Sequence, residues 1–352
     1  MSLLQRHCQP TMLEGLLESE LGLIDERLSK QESLLVQFSK AEQYSEELLF
    51  QLDAYCQKYG TRLAIRFYGH YCKQFDFNVL KSIPHVSNLD ITPCSTAKYV
   101  NIYSLCELQY LKKLAIGLFH LKELDIFQSE IFAHLAELWL FETKTKAVDL
   151  SFLQRCKNLT LLSIHGHRKN VDTVGELHNL KKLALHSVPD FSLIFVNQLQ
   201  KLETLAFFFG GRESINEIET STIESLIIDR VRGFNQLGYF SCFPKLKSLR
   251  IADCTQLENL HFDALLPELR VLHIDNCKKL RSVTGLENLT QLQKIQIAQT
   301  EIDFDSFFDQ KLSKTLKNVF FRMKTRKRDA EIERYLLDHG YKIEWTPPTS
   351  WW

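Results

Sequence analysis

Hydrophobic residues recur in one fixed pattern along most of the chain. The pattern is an aliphatic residue, two variable residues, leucine or another aliphatic residue, one variable residue, and a final aliphatic residue or phenylalanine. Because strand side chains alternate between two faces, the fourth and sixth positions are predicted to point inward and the fifth outward. One strand cannot bury its apolar side alone, so the copies are predicted to stack in a parallel sheet. The copies begin 21 to 25 residues apart, at Val86, Leu111, Leu135, Leu159, Leu180, Leu202, Ile223, Leu246, Leu269, Leu292 and Leu316.

This pattern resembles that of the leucine-rich repeat proteins, whose unit is a short strand followed by a turn and a return segment. The resemblance covers about residues 60 to 322. It implies an α/β fold class: a leucine-rich repeat solenoid with a curved parallel sheet on its concave face, a helical N-terminal cap and a helix-strand C-terminal cap.

The resemblance also places a buried turn residue three positions after the last aliphatic residue of each strand. The usual asparagine of the family stands at none of these positions. Cysteine and threonine are accepted substitutes in some branches of the family, but His167, Gly210 and Val231 depart from its rule, so the middle coils are expected to turn irregularly. The positions are Cys94, Thr143, His167, Val188, Gly210, Val231, Cys254, Cys277 and Thr300.

Three segments are predicted: residues 1–58 as a helical cap or coiled-coil segment, 59–323 as repeats, and 324–352 as a C-terminal cap and tail. Residues 12–58 contain no proline, and nine of twelve positions spaced alternately four and three residues apart from Leu17 are apolar. This pattern predicts one long helix or a helical hairpin. A cap over the first coil is the favoured interpretation, and self-association into a homodimer through residues 12–58 is the alternative.

Two further segments are assigned to the repeats. Residues 121–126 match the pattern but begin only 10 residues after Leu111, so they are predicted to be part of a return segment. A degenerate first coil is predicted at residues 61–65.

The C-terminal residues predict a cap. Residues 328–339 have a helical apolar stripe closed by Gly340, and residues 341–345 alternate like an edge strand. Proline at 347 and 348 ends that strand, and Trp351 and Trp352 are expected to pack back on the cap.

Composition and charge narrow the classes of partner. Hydrophobic residues make up 45% of the 352 residues, and 43 basic residues balance 43 acidic ones. A neutral chain has no overall attraction to nucleic acid or to an acidic membrane. No signal-peptide core and no apolar run of about 18 residues is present, so no membrane association is predicted. The nine cysteines contain no Cys-x-x-Cys pair, which favours the cytoplasm, or a host cytosol for a delivered effector.

Candidate chemistry is sparse. No phosphate-binding loop, nucleophile elbow or His-Glu-x-x-His motif occurs, so no enzyme activity, catalytic residue or cofactor is predicted. A metal site is not predicted either, because the histidines near 165 lack a third ligand with suitable spacing. The cysteines at 254 and 277 are predicted to be buried rather than reactive. The basic run Arg322, Lys324, Arg326, Lys327 and Arg328 has no interleaved aromatic residues, so a nucleic-acid partner is not predicted.

The outward strand positions form the candidate partner site. Stacking aligns the fifth and seventh positions of successive strands into rows, and solenoids bind partners on such rows. Aromatic residues are the predicted anchors, since each contributes about 2 kcal/mol or more when a partner buries it. Charged residues are predicted to set orientation and association rate. The set comprises Trp139, Phe141, His165, His186, Phe208, Asp229, Arg230, Arg250, Asp253, His273 and Asp275.

An alternative explains the same aromatic residues structurally: residues 207–209 fill the core and the N-terminal helices cover Trp139. On the first interpretation the chain is a non-catalytic protein-protein interaction module of effector, inhibitor or scaffold type. Self-assembly through the N-terminal heptads and substrate recruitment within an enzyme complex are the alternative functions.

Overall fold

The structure is a computed structural model that describes residues 11–69, 74–93, 96–144, 147–187, 189–219, 222–323 and 325–345. The chain divides into two compact units, Met1–Asn179 and Leu180–Trp352. This division does not test the predicted boundaries after residues 58 and 323, which stay predictions.

The first unit contains a seven-stranded parallel sheet, paired in the order β1, β2, β3, β5, β7, β8, β9. Strands β4 and β6 form a separate parallel pair. The elements are β1 Thr11–Glu14, α1 Gly22–Lys30, β2 Leu34–Phe38, α2 Glu46–Tyr59, β3 Leu63–Gly69, β4 Gln74–Asp76, β5 Asn88–Pro93, β6 Lys98–Val100, β7 Lys113–Ile116, β8 Glu137–Leu140 and β9 Leu161–His165.

The second unit also contains a seven-stranded parallel sheet, paired in the order β10, β11, β12, β13, β15, β17, β18. Strands β14 and β16 form a second parallel pair. The elements are β10 Lys182–His186, β11 Thr204–Phe208, β12 Ser225–Asp229, β13 Ser248–Ala252, β14 Asn259–His261, β15 Val271–Asp275, β16 Ser282–Thr284, β17 Lys294–Ala298, α3 Phe304–Phe308, β18 Asn318–Arg322 and α4 Arg326–Asp338.

The repeated hydrophobic pattern is confirmed as the strand register of both units. In the first unit Leu114, Leu138 and Leu162 are partners on neighbouring strands, and all are fully buried. In the second unit Leu226 and Leu249 are partnered and buried in the same way. Each such side chain contributes about 1.5–3 kcal/mol by leaving water. The predicted α/β repeat fold class is therefore confirmed.

The prediction of an uninterrupted helix or hairpin over residues 12–58 is wrong. Strands β1 and β2 pair in register with β3, and helices α1 and α2 lie between the strands. In β2, Leu34, Val36 and Phe38 are fully buried, which is a strand period of two. Seven of the nine apolar heptad positions are buried within this chain. Most of the apolar stripe that the self-association hypothesis requires is therefore not accessible to a second chain.

Two smaller predictions in the first unit are confirmed, the second of them in part. Residues 124–128, in the segment that matched the pattern out of step, form a 3₁₀ turn of a return segment. The degenerate coil at residues 61–65 is present as β3, whose Ile65 pairs with Leu89 of β5, but it is not the first, because β1 and β2 precede it in the sheet.

The turns after six strands of the second unit, β10, β11, β12, β13, β15 and β17, have a common geometry. The residue after the strand has a left-handed backbone in coil after coil, at Ser187, Phe209, Arg230, Asp253, Asn276 and Gln299, with φ between 50° and 61°. The next residue is the predicted buried turn residue, and Val231, Cys254, Cys277 and Thr300 are all at most 4% exposed. Val231 therefore follows the common turn rather than an irregular one. At Gly210 a second left-handed residue, with φ of 77°, follows Phe209.

The C-terminal helix is confirmed, but the edge strand is not. Helix α4 ends at Asp338, and Gly340 reverses the chain with a φ of 79°. Residues 341–345 make a single parallel bridge, between Lys342 and Asn318 of β18. The chain then leaves the sheet edge because the backbone N–H of Glu344 donates to the Asn318 side chain instead of continuing the ladder. Trp351 and Trp352 lie outside the described residues.

Candidate functional site

We call the outward-facing side of each sheet its open face. On the open face of the first unit, Trp139 of β8 stands between Ala115 and Ser163 of the neighbouring strands. Trp139, Phe141 and His165 are each only partly buried. The rings of Phe141 and His165 lie 4.6 Å apart. The Phe141 and His165 rings are therefore neighbours, and Trp139 lies two residues before Phe141 on the same side of the sheet. We call these three partly exposed side chains the aromatic cluster.

His167, which sequence analysis placed both in a metal-like group and at a buried turn, is a structural turn residue. Its Nδ1 accepts a hydrogen bond from the backbone N–H of Val148 at 3.1 Å, and its Nε2 lies 2.9 Å from the carbonyl oxygen of Phe141, to which it donates. Burial lowers the pKa of His167, although the Phe141 carbonyl acts in the opposite direction. The neutral imidazole thus ties two segments of backbone together and has no nitrogen left for a metal.

A polar network at the start of the first sheet was not predicted. Register aligns Glu14, Gln37, Arg66 and Asp90 across four successive strands. Glu14 accepts hydrogen bonds from Gln37 at 2.7 Å and from the Tyr68 hydroxyl at 2.9 Å. Arg66 lies 3.1 Å from the Asp90 carboxylate. The sequence signal for this network was one polar residue within each apolar strand. It was missed because residues 12–58 were interpreted as helical.

The pKa values of the two acidic residues of this network, Asp90 and Glu14, are shifted in opposite directions. Burial raises the pKa of Asp90, and the Arg66 guanidinium only partly offsets that effect. Burial acts to raise the pKa of Glu14 as well, but the hydrogen bonds from Tyr68, Gln43, Ser39 and Gln37 lower it further, so the net direction is downward. Glu14 is therefore an ionised hydrogen-bond hub.

In the second unit, the part of the open face that lies on β10, β11 and β12 is apolar and buried. Ala184, Ala206 and Ile227 pair across β10, β11 and β12, and each is at most 1% exposed. Phe208 is 8% exposed and its ring stacks on that of His186 at 4.6 Å. The expectation that Phe208 and His186 offer large exposed surfaces is wrong, because side chains on strands about 4.8 Å apart cover one another.

The run of three phenylalanines separates into three environments. Phe207 occupies the inward row, between Leu185 and Ile228. Phe208 occupies the buried outward row, and Phe209 is 38% exposed with the Arg230 guanidinium 5.6 Å from its ring. The core-filling alternative holds for Phe207 and Phe208, but not for Phe209.

A charged cluster follows on β12, β13 and β15. Arg250 lies 3.0 Å from an oxygen of Asp229 and 3.0 Å from Nε2 of His273. Arg250 and His273 are buried, at 6% and 0% exposed, so they are interior members of the predicted surface rather than exposed ones. Burial, with the Arg250 charge, lowers the pKa of His273 to about 3.

The rim of this cluster is more accessible. Arg230 is exposed and lies 3.2 Å from Asp253, which also accepts a hydrogen bond from Asn276. Asp275 is partly buried, and burial raises the pKa of its carboxyl group. Arg230, Asp253 and Asp275 therefore keep part of their surface in solvent.

The interpretation of Cys254 and Cys277 as buried structural residues is confirmed. Their thiols donate to backbone carbonyl oxygens, at 3.4 Å to Ala252 and 3.5 Å to Asp275. Burial raises the pKa of Cys277 to about 12 and that of Cys254 still further. A thiol that stays protonated is a poor nucleophile.

The remaining predicted features contribute little to a site. The basic run is divided between β18 and α4, where Arg328 pairs with Asp305 and Glu331, while Lys324 lies outside the described residues. Within the described ranges, no three His, Cys, Asp or Glu side chains come together as metal ligands. Nor does any helix in those ranges have the length and apolar character to cross a membrane.

Comparison with known proteins gives structural likenesses only. No protein-family model and no curated protein matches the chain. An internalin of Listeria monocytogenes is 15% identical over 90% of this chain and 88% of its own, with a TM-score of 0.43. A leucine-rich repeat protein of Leptospira interrogans is 14% identical over 91% of each chain, with a TM-score of 0.41.

Drosophila Toll, solved in complex with Spatzle, is 11% identical over 89% of this chain, with a TM-score of 0.47. This chain spans 50% of the Toll chain. Likenesses this distant identify neither a partner nor a function. The repeat interval of the sequence, the strand registers of both units and the buried turn residues together show that this chain folds as leucine-rich repeats.

Proposed function

We propose that this chain is a non-catalytic protein-binding module and that its open sheet faces carry the binding surfaces. The aromatic cluster of the first unit is the observation that supports this proposal most. Trp139, Phe141 and His165 point away from the leucine core and keep part of their surface in solvent. Partly exposed aromatic groups on a rigid sheet lose little conformational entropy when a partner covers them.

The rim of the charged cluster supplies a second contact region in this proposal. Arg230, Asp253 and Asp275 carry both signs of charge, which sets the orientation of a partner more than its affinity. Phe208 and His186 lie beside this region in the same outward row, where Phe208 pairs with Asp229, and they contribute rigidity rather than contact surface. Effector, inhibitor and scaffold roles, and a cytoplasmic location, are all compatible with such a module.

Affinity capture from a native lysate tests the proposal when it includes matched variants. The open-face variant is W139A combined with F141A, and the control is I194A combined with Y239A. The control residues are 60% and 68% exposed and lie in or beside 3₁₀ turns of return segments. We expect the open-face variant to capture at least tenfold less partner protein than the unsubstituted chain, and the control variant to capture the same amount.

Melting temperatures of both variants show whether each is folded. Capture that survives in the open-face variant but fails in the control would place the binding surface on the return segments and contradict the proposal.

A further inference from the structure

The end of the described chain lies on the open face of the second unit rather than beside it. After the bridge to β18, the Glu344 carboxylate accepts a hydrogen bond from the Asn318 amide at 3.1 Å. The Glu344 carbonyl oxygen then accepts from the Gln296 amide of β17 at 3.3 Å. The segment therefore crosses from β18 to β17, over the outward rows.

Trp345 completes this crossing. Its ring lies 4.9 Å from that of Phe320 on β18 and 5.0 Å from that of His273 on β15, in an edge-to-face arrangement with the latter. Register places His273, Gln296 and Phe320 in one row of the open face. The row presents an imidazole, an amide and a phenyl ring, and Trp345 packs over it. We call this row the cleft.

The chemistry of the cleft matches an acidic residue followed by an aromatic residue. Lys294 and Asn318 pair in the row beside the cleft, where Asn318 bonds the Glu344 carboxylate. Burial lowers the pKa of Lys294, and the Glu344 charge acts in the opposite direction. The Glu344 carboxylate is thus bonded by an amide and lies within the electrostatic influence of a cation. The next side chain packs between two rings.

The described part of the segment, which ends at Trp345, leaves one buried polar atom of the cleft without a partner. Gln296 is fully buried, yet within the described residues no donor reaches its side-chain oxygen Oε1. Trp345 itself is 39% exposed. A buried amide with an unmet oxygen costs free energy that an occupant offering a backbone N–H would recover. An extended segment that gives Gln296 both a carbonyl and an N–H would bind better than residues 344–345 do.

We propose that this row is a peptide-docking cleft for an extended partner segment with an acidic residue followed by an aromatic residue, and that Glu344 and Trp345 are its displaceable internal occupant. The inference deepens the proposed function by stating the chemistry of one partner segment. Removing the internal occupant opens the cleft to a segment supplied in trans.

The test titrates acetyl-Tyr-Lys-Ile-Glu-Trp-amide, the sequence of residues 341–345, into the full chain and into its W345A variant by calorimetry. We expect the variant to bind the peptide at least tenfold more tightly than the unsubstituted chain. A peptide with alanine in place of tryptophan is expected to bind neither. No binding to the variant, or equal binding to both proteins, would overturn the proposal.

A structural cap is the competing explanation of the same contacts. If W345A lowers the melting temperature as a core truncation does, the variant E344A, which removes only exposed atoms, decides between the two explanations. Tighter peptide binding by E344A than by the unsubstituted chain supports the cleft. Unchanged peptide binding by E344A overturns it. Because this titration uses a defined peptide at the second unit, its failure leaves the aromatic cluster of the first unit, and its capture assay, untouched.

Discussion

The guanidinium of Arg250 lies 3.0 Å from Nε2 of His273, with both side chains buried. Two positive charges at this distance in a desolvated site repel strongly, so the imidazole stays neutral and accepts the hydrogen bond. Burial and Arg250 accordingly lower the pKa of His273 to about 3.

This pair predicts acid-sensitive stability. The pKa of His273 is lower in the folded chain than the value of about 6.5 in the unfolded chain, so its contribution is complete above pH ~6.5 and decreases as the pH falls below that value. Between pH ~7.5 and ~5.5 the loss for one such histidine is about 1.4 kcal/mol. His165, with a pKa lowered to about 3 by burial, adds a similar loss.

Urea unfolding at those two pH values measures this loss. The variant H273Q should show a pH-dependent decrease in unfolding free energy about 1.4 kcal/mol smaller than the unsubstituted chain. An identical decrease in both proteins would mean that His273 does not change protonation on unfolding.

The two hydrogen bonds of His167 predict a second stability effect. In H167A, the Val148 N–H and the Phe141 carbonyl lose their partner, and each unmet buried group costs about 1–3 kcal/mol. We expect H167A to lower the free energy of unfolding by about 2–4 kcal/mol. The neighbouring exposed residue supplies the control, and R168A should change stability by less than about 0.5 kcal/mol. Equal effects of the two substitutions would refute the bridging role.

The left-handed turn residues predict a stabilising substitution. Gln299 is exposed and has a φ of 53°, a region that costs about 1–2 kcal/mol for most residues but little for glycine. After the entropy that glycine loses on folding, Q299G should stabilise the chain by about 0.5–1 kcal/mol. Q299A, which keeps the strain, should bring no gain. Calorimetric melting compares the two, and a gain in Q299A as large as in Q299G would exclude backbone strain as the cause.

Adjacent phenylalanines provide a matched pair for burial. Phe208 is 8% exposed and stacked on His186, so F208A should cost about 3 kcal/mol of stability. Phe209 is 38% exposed, and F209A should cost less than about 1 kcal/mol. Urea unfolding of both variants measures the difference, and comparable losses would contradict the assignment of Phe208 to a buried layer.

The core of the repeats was predictable because it depends on local pattern alone. The fourth and sixth positions, such as Leu226 and Ile228, follow from strand alternation and are both buried. Strand β2 was missed since its leucines also fit a helical spacing, and pairing with its neighbours overrides that preference. Burial at Phe208 and His273 could not be predicted, because it depends on the adjacent strands and on Trp345, which lies far away in the sequence.

Site-specific photocrosslinking tests the central claim most directly. A benzoylphenylalanine placed at Phe141, on the open face of the first unit, is compared in a native lysate with one placed at Tyr239, which is 68% exposed beside a return-segment turn. The account predicts a discrete protein adduct from position 141 that is missing from position 239. An adduct formed only from position 239, with none from position 141, would contradict it.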